Sequence, residues 1–301
     1  MLVAATLSAG LAQSSSEVTN ANVGTSDVMN RVTAATLSSQ SAFAPTSPGD
    51  SDLGEQLILT RSERYRSLTV FGDAYEYFTT NAFLTRTAPQ SDFFTLLQAG
   101  AIWMPHLTGN LYGEATVREQ LYRYARFSEL NFNSLDVGGG LIYVIRQLGD
   151  LSVFGRYNFN LITNSSVNAD LYHDQTLKFG LQKPFLLSRA HFVYTGISAE
   201  VVLEGEPDYA LREKIGGYLG YQISLTRSLK ANVFYQLFYL PYRQNGRADW
   251  NHLLSTSLTW DVLPGFSVNA VVSGIFNESN ESFYQYNALN LGAGLTGQLK
   301  F

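Results

Sequence analysis

Between Asp73 and Lys300 a set of charged side chains keeps to one parity of the segments that carry them. In Asn110–Tyr124 one side is Leu111, Gly113, Ala115 and Val117, and the other is Tyr112, Glu114, Thr116, Arg118 and Gln120. The same reading puts Asp73, Asp136, Arg156, Lys178, Glu200, Lys214, Lys230, Asp261 and Lys300 on polar faces. The bases Arg118, Arg156, Lys178, Lys214, Lys230 and Lys300 thus share one surface with the acids Asp73, Glu114, Asp136, Glu200 and Asp261. Such a surface can screen and steer polar or ionic solutes, or its charges can pair and simply hydrate and stiffen it. Neither sign prevails, so no preference for anions or cations follows.

Covalent chemistry finds less support. A nucleophile needs a base within reach. The chain has no Cys, which removes thiolate catalysis, disulfides and Cys-ligated metal. Its four His are His106 in a turn, His173 at a loop end, His191 near a rim, and His252, which precedes Ser255 by three. Glu204, Glu206 and Asp208 could hold a divalent cation, but a solvated acidic loop explains them as well. The expectation is a protein that is not an enzyme, with no cofactor and no metal. A net charge of -5 without a long basic run also excludes nucleic acid as a partner.

Placing every second side chain on one surface is what strands do. Charged residues are 15% and aromatics 13% of the chain, poor in charge and rich in rings. No apolar run approaches the roughly 20 residues of a membrane helix. The best, Leu141–Ile145, stops at Arg146. If the chain meets a bilayer it does so as strands, and only a closed barrel leaves no backbone unpaired in hydrocarbon. Twelve segments qualify, from Ser67–Phe78 through Asp174–Phe185 and Ala190–Leu203 to Tyr286–Phe301, and their connections alternate between short and longer polar ones. A charge at mid-bilayer costs about 2–4 kcal/mol, so the polar parity must face a lumen. The apolar parity gathers Trp103, Tyr143, Phe185, Trp260 and Phe266 near the short turns, as an interfacial girdle would.

The end of the chain carries a resemblance. In Leu289–Phe301 the odd positions are apolar or small, the even ones polar or Gly, and the last residue is aromatic. This resembles the closing strand of bacterial outer-membrane β-barrels, in which Leu299 and Phe301 would serve as the signal read by the barrel-insertion machinery. It departs from the family at Thr296, where a Gly is usual. The resemblance implies an all-β, up-and-down antiparallel barrel in outer-membrane lipid, with short turns in the periplasm.

Residues 1–12 read as a signal peptide, 13–54 as a low-complexity periplasmic linker that stays disordered, and 55–301 as the barrel. Leu53–Thr60 reads as an extra strand or a plug segment. Twelve strands leave a narrow interior, so the expected function is a passive pore for small polar solutes. The alternatives are a non-conducting structural or surface-binding barrel and, last, an outer-membrane hydrolase using Asp170, His173, Asp174 and Asp249 near the outer loops. Solute and oligomeric state stay open.

Overall fold

The computed structural model describes residues 65–165, 169–244 and 246–301. Residues 1–12, the segment 13–54 and Leu53–Thr60 lie outside the described residues.

Twelve strands form the wall. They are β1 (Leu68–Thr79), β2 (Asp92–Trp103), β3 (Leu111–Tyr124), β4 (Phe132–Ile145), β5 (Leu151–Asn164) and β6 (Asp170–Leu186). The second half is β7 (His191–Glu206), β8 (Lys214–Ser224), β9 (Leu229–Pro241), β10 (Ala248–Leu263), β11 (Phe266–Ser279) and β12 (Tyr286–Lys300). Each strand pairs antiparallel with its neighbours in sequence, and β12 returns to β1. A further three-residue stretch, His106–Thr108, pairs only with the start of β3 and belongs to the turn after β2.

Closure is made by the segment that the sequence singles out. Thr69 lies opposite Lys300, Asp73 opposite Thr296 and Thr79 opposite Asn290. The Phe301 amide donates to the Leu68 carbonyl at 2.8 Å, and the Leu68 amide donates back at 3.2 Å. The strand therefore has no free edge, which is the condition for crossing hydrocarbon.

Several boundaries move relative to the sequence reading, two of them on neighbouring strands and one at β8, which begins only at Lys214. β6 begins at Asp170 and β7 runs on to Glu206, so both project further at the long-loop end than Asp174–Phe185 and Ala190–Leu203 imply. A register shift at Gln175/Thr176 accompanies the extension. Short turns still alternate with longer connections. Gly265 shows why one of them is tight. It takes φ 79, and a Cβ there would stand 2.4 Å from the Gln298 carbonyl oxygen.

The outward faces are apolar and exposed, with Val117, Leu141, Val153, Ile197, Leu219, Val233, Leu258 and Leu295 among them. In a soluble protein these side chains would be the core, so the barrel is inside out with respect to water. On β1 and β3 the outward apolar run ends at Glu76 and Glu119, each eight residues from the strand's short-turn end. At about 3.3 Å per residue and a tilt of about 40°, that run is roughly 20 Å tall, close to the apolar band of a membrane barrel.

Candidate functional site

The candidate site is the barrel interior. Its charges form a row set by register, which climbs from near the short-turn end of β3 to the long-loop end of β8. Glu114 on β3 lies opposite Gly140, Gly140 opposite Arg156, Arg156 opposite Lys178, Lys178 opposite Glu200, and Glu200 opposite Lys214. The row runs across six strands and is held by ion pairs. Glu200 receives Lys178 at 3.7 Å and Lys214 at 3.3 Å.

Glu114 and Arg156 are two strands apart, yet the Arg156 Nε stands 2.8 Å from the Glu114 Oε2. Gly140 makes this reach feasible. A Cβ at 140 would meet the Arg156 Cγ at 2.7 Å and the Gly155 carbonyl oxygen at 2.3 Å. The arginine stem therefore crosses β4 where β4 has no side chain. The Glu114 side chain is buried, 1% exposed, and that of Arg156 is 14% exposed.

Other inward groups extend the row. Arg118 Nε stands 3.7 Å from Asp136 Oδ2, and the Asn160 amide donates to Asp136 Oδ1 at 2.8 Å. Gln98 donates to Asp73 and in turn accepts from Gln120 at 3.0 Å. Towards the short turns Lys230 Nζ donates to Asp261 Oδ2 at 2.8 Å, and the Ser267 hydroxyl donates to Asp261 Oδ1 at 2.8 Å. Lys300 is exposed at the end of β12, and its carbonyl accepts from Arg66 at 3.0 Å.

Apolar clusters share the interior: Ile102, Met104, Tyr112, Ile142, Val144 and Phe154 form one towards the short turns, and two others touch the first long connection. The first of these two takes Tyr77 from β1, Phe94 and Leu96 from β2, Tyr122 from β3, Phe132 from β4, Ile162 from β5 and Tyr172 from β6. A second takes Tyr194 from β7, Phe234 from β9, Leu253 from β10, Ile275 from β11 and Ala288 from β12. Leu84, in the connection between β1 and β2, packs against both. That connection, Thr80–Gln90 with Ser91, thus folds into the barrel mouth instead of standing above it.

The fold of this segment has identifiable causes. Asn81 is buried and acts as its hinge pin: its Nδ2 donates to the Thr85 carbonyl at 2.8 Å and the Asn287 carbonyl at 2.9 Å, while its Oδ1 accepts from the Thr85 amide at 3.1 Å. Phe83 packs edge-on against Phe127, with ring centroids 4.7 Å apart. Leu84 and Ala88 take φ 49 and 54, conformations that cost a non-glycine residue about 1–2 kcal/mol. The packing of Phe83 and Leu84 holds that strain in place.

The residues suited to hydrolysis do not converge. His173 and Asp174 are neighbours on β6, so strand alternation sends them to opposite faces. Asp174 is buried and accepts from the Tyr172 hydroxyl at 2.6 Å. Asp249 is also buried and pairs with Arg247, whose Nε donates at 3.0 Å. The Arg247 guanidinium lies 3.9 Å over the Tyr242 ring and 3.6 Å over the Tyr284 ring, tying the last two long loops together. His191 and His252 stand on the exposed side against tyrosine hydroxyls, Tyr221 at 2.6 Å and Tyr235 at 2.8 Å. His106 contacts the Gly109 carbonyl at 2.8 Å.

Trp103, Tyr143, Phe185, Trp260, Phe266 and Phe301 are all exposed on the outer surface at the short-turn end, and Leu299 is exposed with them. A second outward aromatic set sits at the long-loop end, where Phe78 meets Phe93 and Tyr239 meets Trp250, with centroids 5.1 and 5.0 Å apart. Sequence reasoning does not pick out this second set, nor Leu84 and Asn81. Ala82-Phe83-Leu84, an apolar triplet inside the longest connection, is the signal for the inward fold.

A closed antiparallel barrel with an apolar outside and a polar, ion-paired inside has the architecture of a transmembrane β-barrel. One solved structure agrees on the fold, and others show a weaker likeness. The chain superposes on the COG4313 outer membrane channel from Pseudomonas putida F1 with a TM-score of 0.53 at 8% identity, covering 78% of this chain and 96% of that one. The NanC porin matches with a TM-score of 0.45 at 8% identity, covering 76% of this chain and 100% of that one. The beta domain of the Bordetella autotransporter BrkA gives 0.43 at 12% identity, with 77% and 100% covered. No family model and no curated protein matches the chain.

Proposed function

We propose that this protein is a passive outer-membrane pore for small polar solutes, with its short turns in the periplasm and its outer mouth closed by Thr80–Gln90. The observation that carries this reading is the wetness of the interior charges. The Lys178 side chain, inside the charge row, is 30% exposed, and those of Lys230 and Asp261, at the short-turn mouth of the same lumen, are 39% and 34% exposed. An interior meant only to pack would strip such charges of their hydration at a high cost, whereas here they keep contact with water. The apolar clusters around Leu84 then act as the constriction, and dewetting there blocks passage.

Purified full-length protein in planar bilayers is expected to give discrete conductance steps. Because Glu114, Asp136, Glu200 and Asp261 each have a basic partner, the reversal potential in a salt gradient should lie close to zero. A barrel that stays silent under varied voltage and salt would abandon the pore for the structural or surface-binding reading. A strongly ion-selective one would mean that the pairs open in the conducting state.

Leu299 and Phe301 are proposed as the segment recognised by the barrel-insertion machinery. Removing Phe301 also deletes two main-chain hydrogen bonds to Leu68. The expected result is a severalfold drop in heat-modifiable, assembled barrel in the outer membrane. Phe301→Tyr, which keeps the ring and the backbone, should assemble as the parent does.

A further inference from the structure

The two rims of the barrel differ in charge. At the long-loop end the exposed acids Glu129, Asp170, Glu204, Glu206, Asp208 and Glu278 outnumber the exposed bases Arg86, Arg126 and Arg243 among the described residues. At the short-turn end the exposed charges are basic: Arg146, Arg189 and Arg227 stand in three successive turns, and Arg66 and Lys300 lie beside and on the closing strand. The acidic side chains at this end are Asp150 and Asp261 among the described residues, and Asp261 is held by Lys230.

The short turns carry leucines in water. Leu107, Leu148, Leu187, Leu225 and Leu263 are each more than half exposed, one in or beside every short turn. Just above them, Lys183 Nζ sits 5.2 Å over the Phe185 ring on the outer surface. A leucine prefers the acyl boundary, a long basic side chain prefers the phosphate level above it, and an aromatic prefers the zone between. These preferences meet in one place, a leaflet whose headgroups are anionic.

We infer that the short-turn rim is a binding surface for anionic glycerophospholipids, its basic turn residues holding the phosphates and its leucines seated among the upper acyl carbons. The inference rests on the membrane reading above, and charge complementarity chooses the lipid. A bilayer charge attracts basic residues near its surface, and the acidic long-loop rim would repel the same headgroup.

Tryptophan gives the test, because the chain has three: Trp103 and Trp260 at the short-turn girdle and Trp250 at the other end. Trp250→Phe leaves only the first pair as reporters, and Trp103→Phe with Trp260→Phe leaves only Trp250. Each full-length variant is reconstituted in phosphatidylcholine containing brominated phosphatidylglycerol, or brominated phosphatidylcholine as reference, and quenching gives the relative lipid affinity.

At Trp103 and Trp260 phosphatidylglycerol should be preferred by about fivefold, and at Trp250 by a factor near one. The preference should fade at high salt in the unaltered chain, and on changing Arg146, Arg189 and Arg227 to Gln, which are exposed turn positions. Equal affinity at both ends, or a preference that survives salt and the three substitutions, overturns the inference. A silent barrel in conductance leaves this measurement untouched. A chain that does not insert at all fails the membrane reading instead, as seen when no brominated lipid quenches any tryptophan.

Discussion

Glu114→Gln is expected to lower the stability of the folded barrel by about 3 kcal/mol, more than any exposed charge substitution. The substitution removes the charge but not the volume, so the loss measures what the carboxylate does for Arg156. The guanidinium is committed to its position: its stem fills the gap over Gly140, its Nε lies 2.8 Å from Glu114, and its Cζ sits 4.9 Å from the Phe154 ring. It would be left inside the wall with a glutamine in place of its counter-charge. Breaking one side of such a pair costs far more than omitting the pair. Changing Arg156 to Gln as well should therefore restore much of the stability.

Unfolding by urea from lipid vesicles, run as a double-mutant cycle, measures both effects. Independent losses that simply add would show that the two side chains do not act together. Gly140→Ala offers a separate check from the backbone side. Its methyl would press on the Gly155 carbonyl as well as on Arg156, so rotating the arginine away cannot relieve it. A stability equal to the parent would contradict the passage of the Arg156 stem over Gly140.

The strands were legible because a membrane barrel obeys one strict local rule. Every outward side chain must tolerate lipid, so parity alone separates Val117 from Arg118 and Tyr143 from Val144. Loop-end residues obey no such rule, and there the reading slipped. Asp174 and Asp249 have the composition of solvated loop acids. They are buried because β6 starts earlier than its polar residues suggest and because Arg247 folds back over Tyr242 and Tyr284. Nor does parity say which inward charges touch. Glu114 and Arg156 look unrelated in sequence, and only the stagger of β3, β4 and β5, with a glycine at the crossing, joins them.

Leu84→Ala is expected to raise the time-averaged conductance about tenfold. The inward fold of the connection rests on few contacts: Ala82 and Leu84 in the apolar clusters, Phe83 on Phe127, the hydrogen bond from the Ala82 amide to the Gln90 carbonyl, and those of the Asn81 side chain. Against them stand the left-handed backbone at Leu84 and Ala88 and the entropy of holding a twelve-residue connection in one place. Truncating a half-buried leucine removes about 1.5 kcal/mol, which is close to a tenfold shift in the ratio of closed to open mouths.

The wall does not depend on this segment, because the strands on either side of it keep their own pairing to each other and to β3 and β12. Circular dichroism and heat-modifiable migration should consequently be unchanged in Leu84→Ala and in a chain lacking Phe83–Ala88. The absence of native Cys supplies an independent readout. In Leu84→Cys, a membrane-impermeant thiol reagent added outside should react slowly, and faster when Asn81 is also changed to Ala. Conductance and thiol reactivity that stay at the parental level in all of these variants would mean that Thr80–Gln90 is a fixed part of the wall, and that any solute takes another path through the interior.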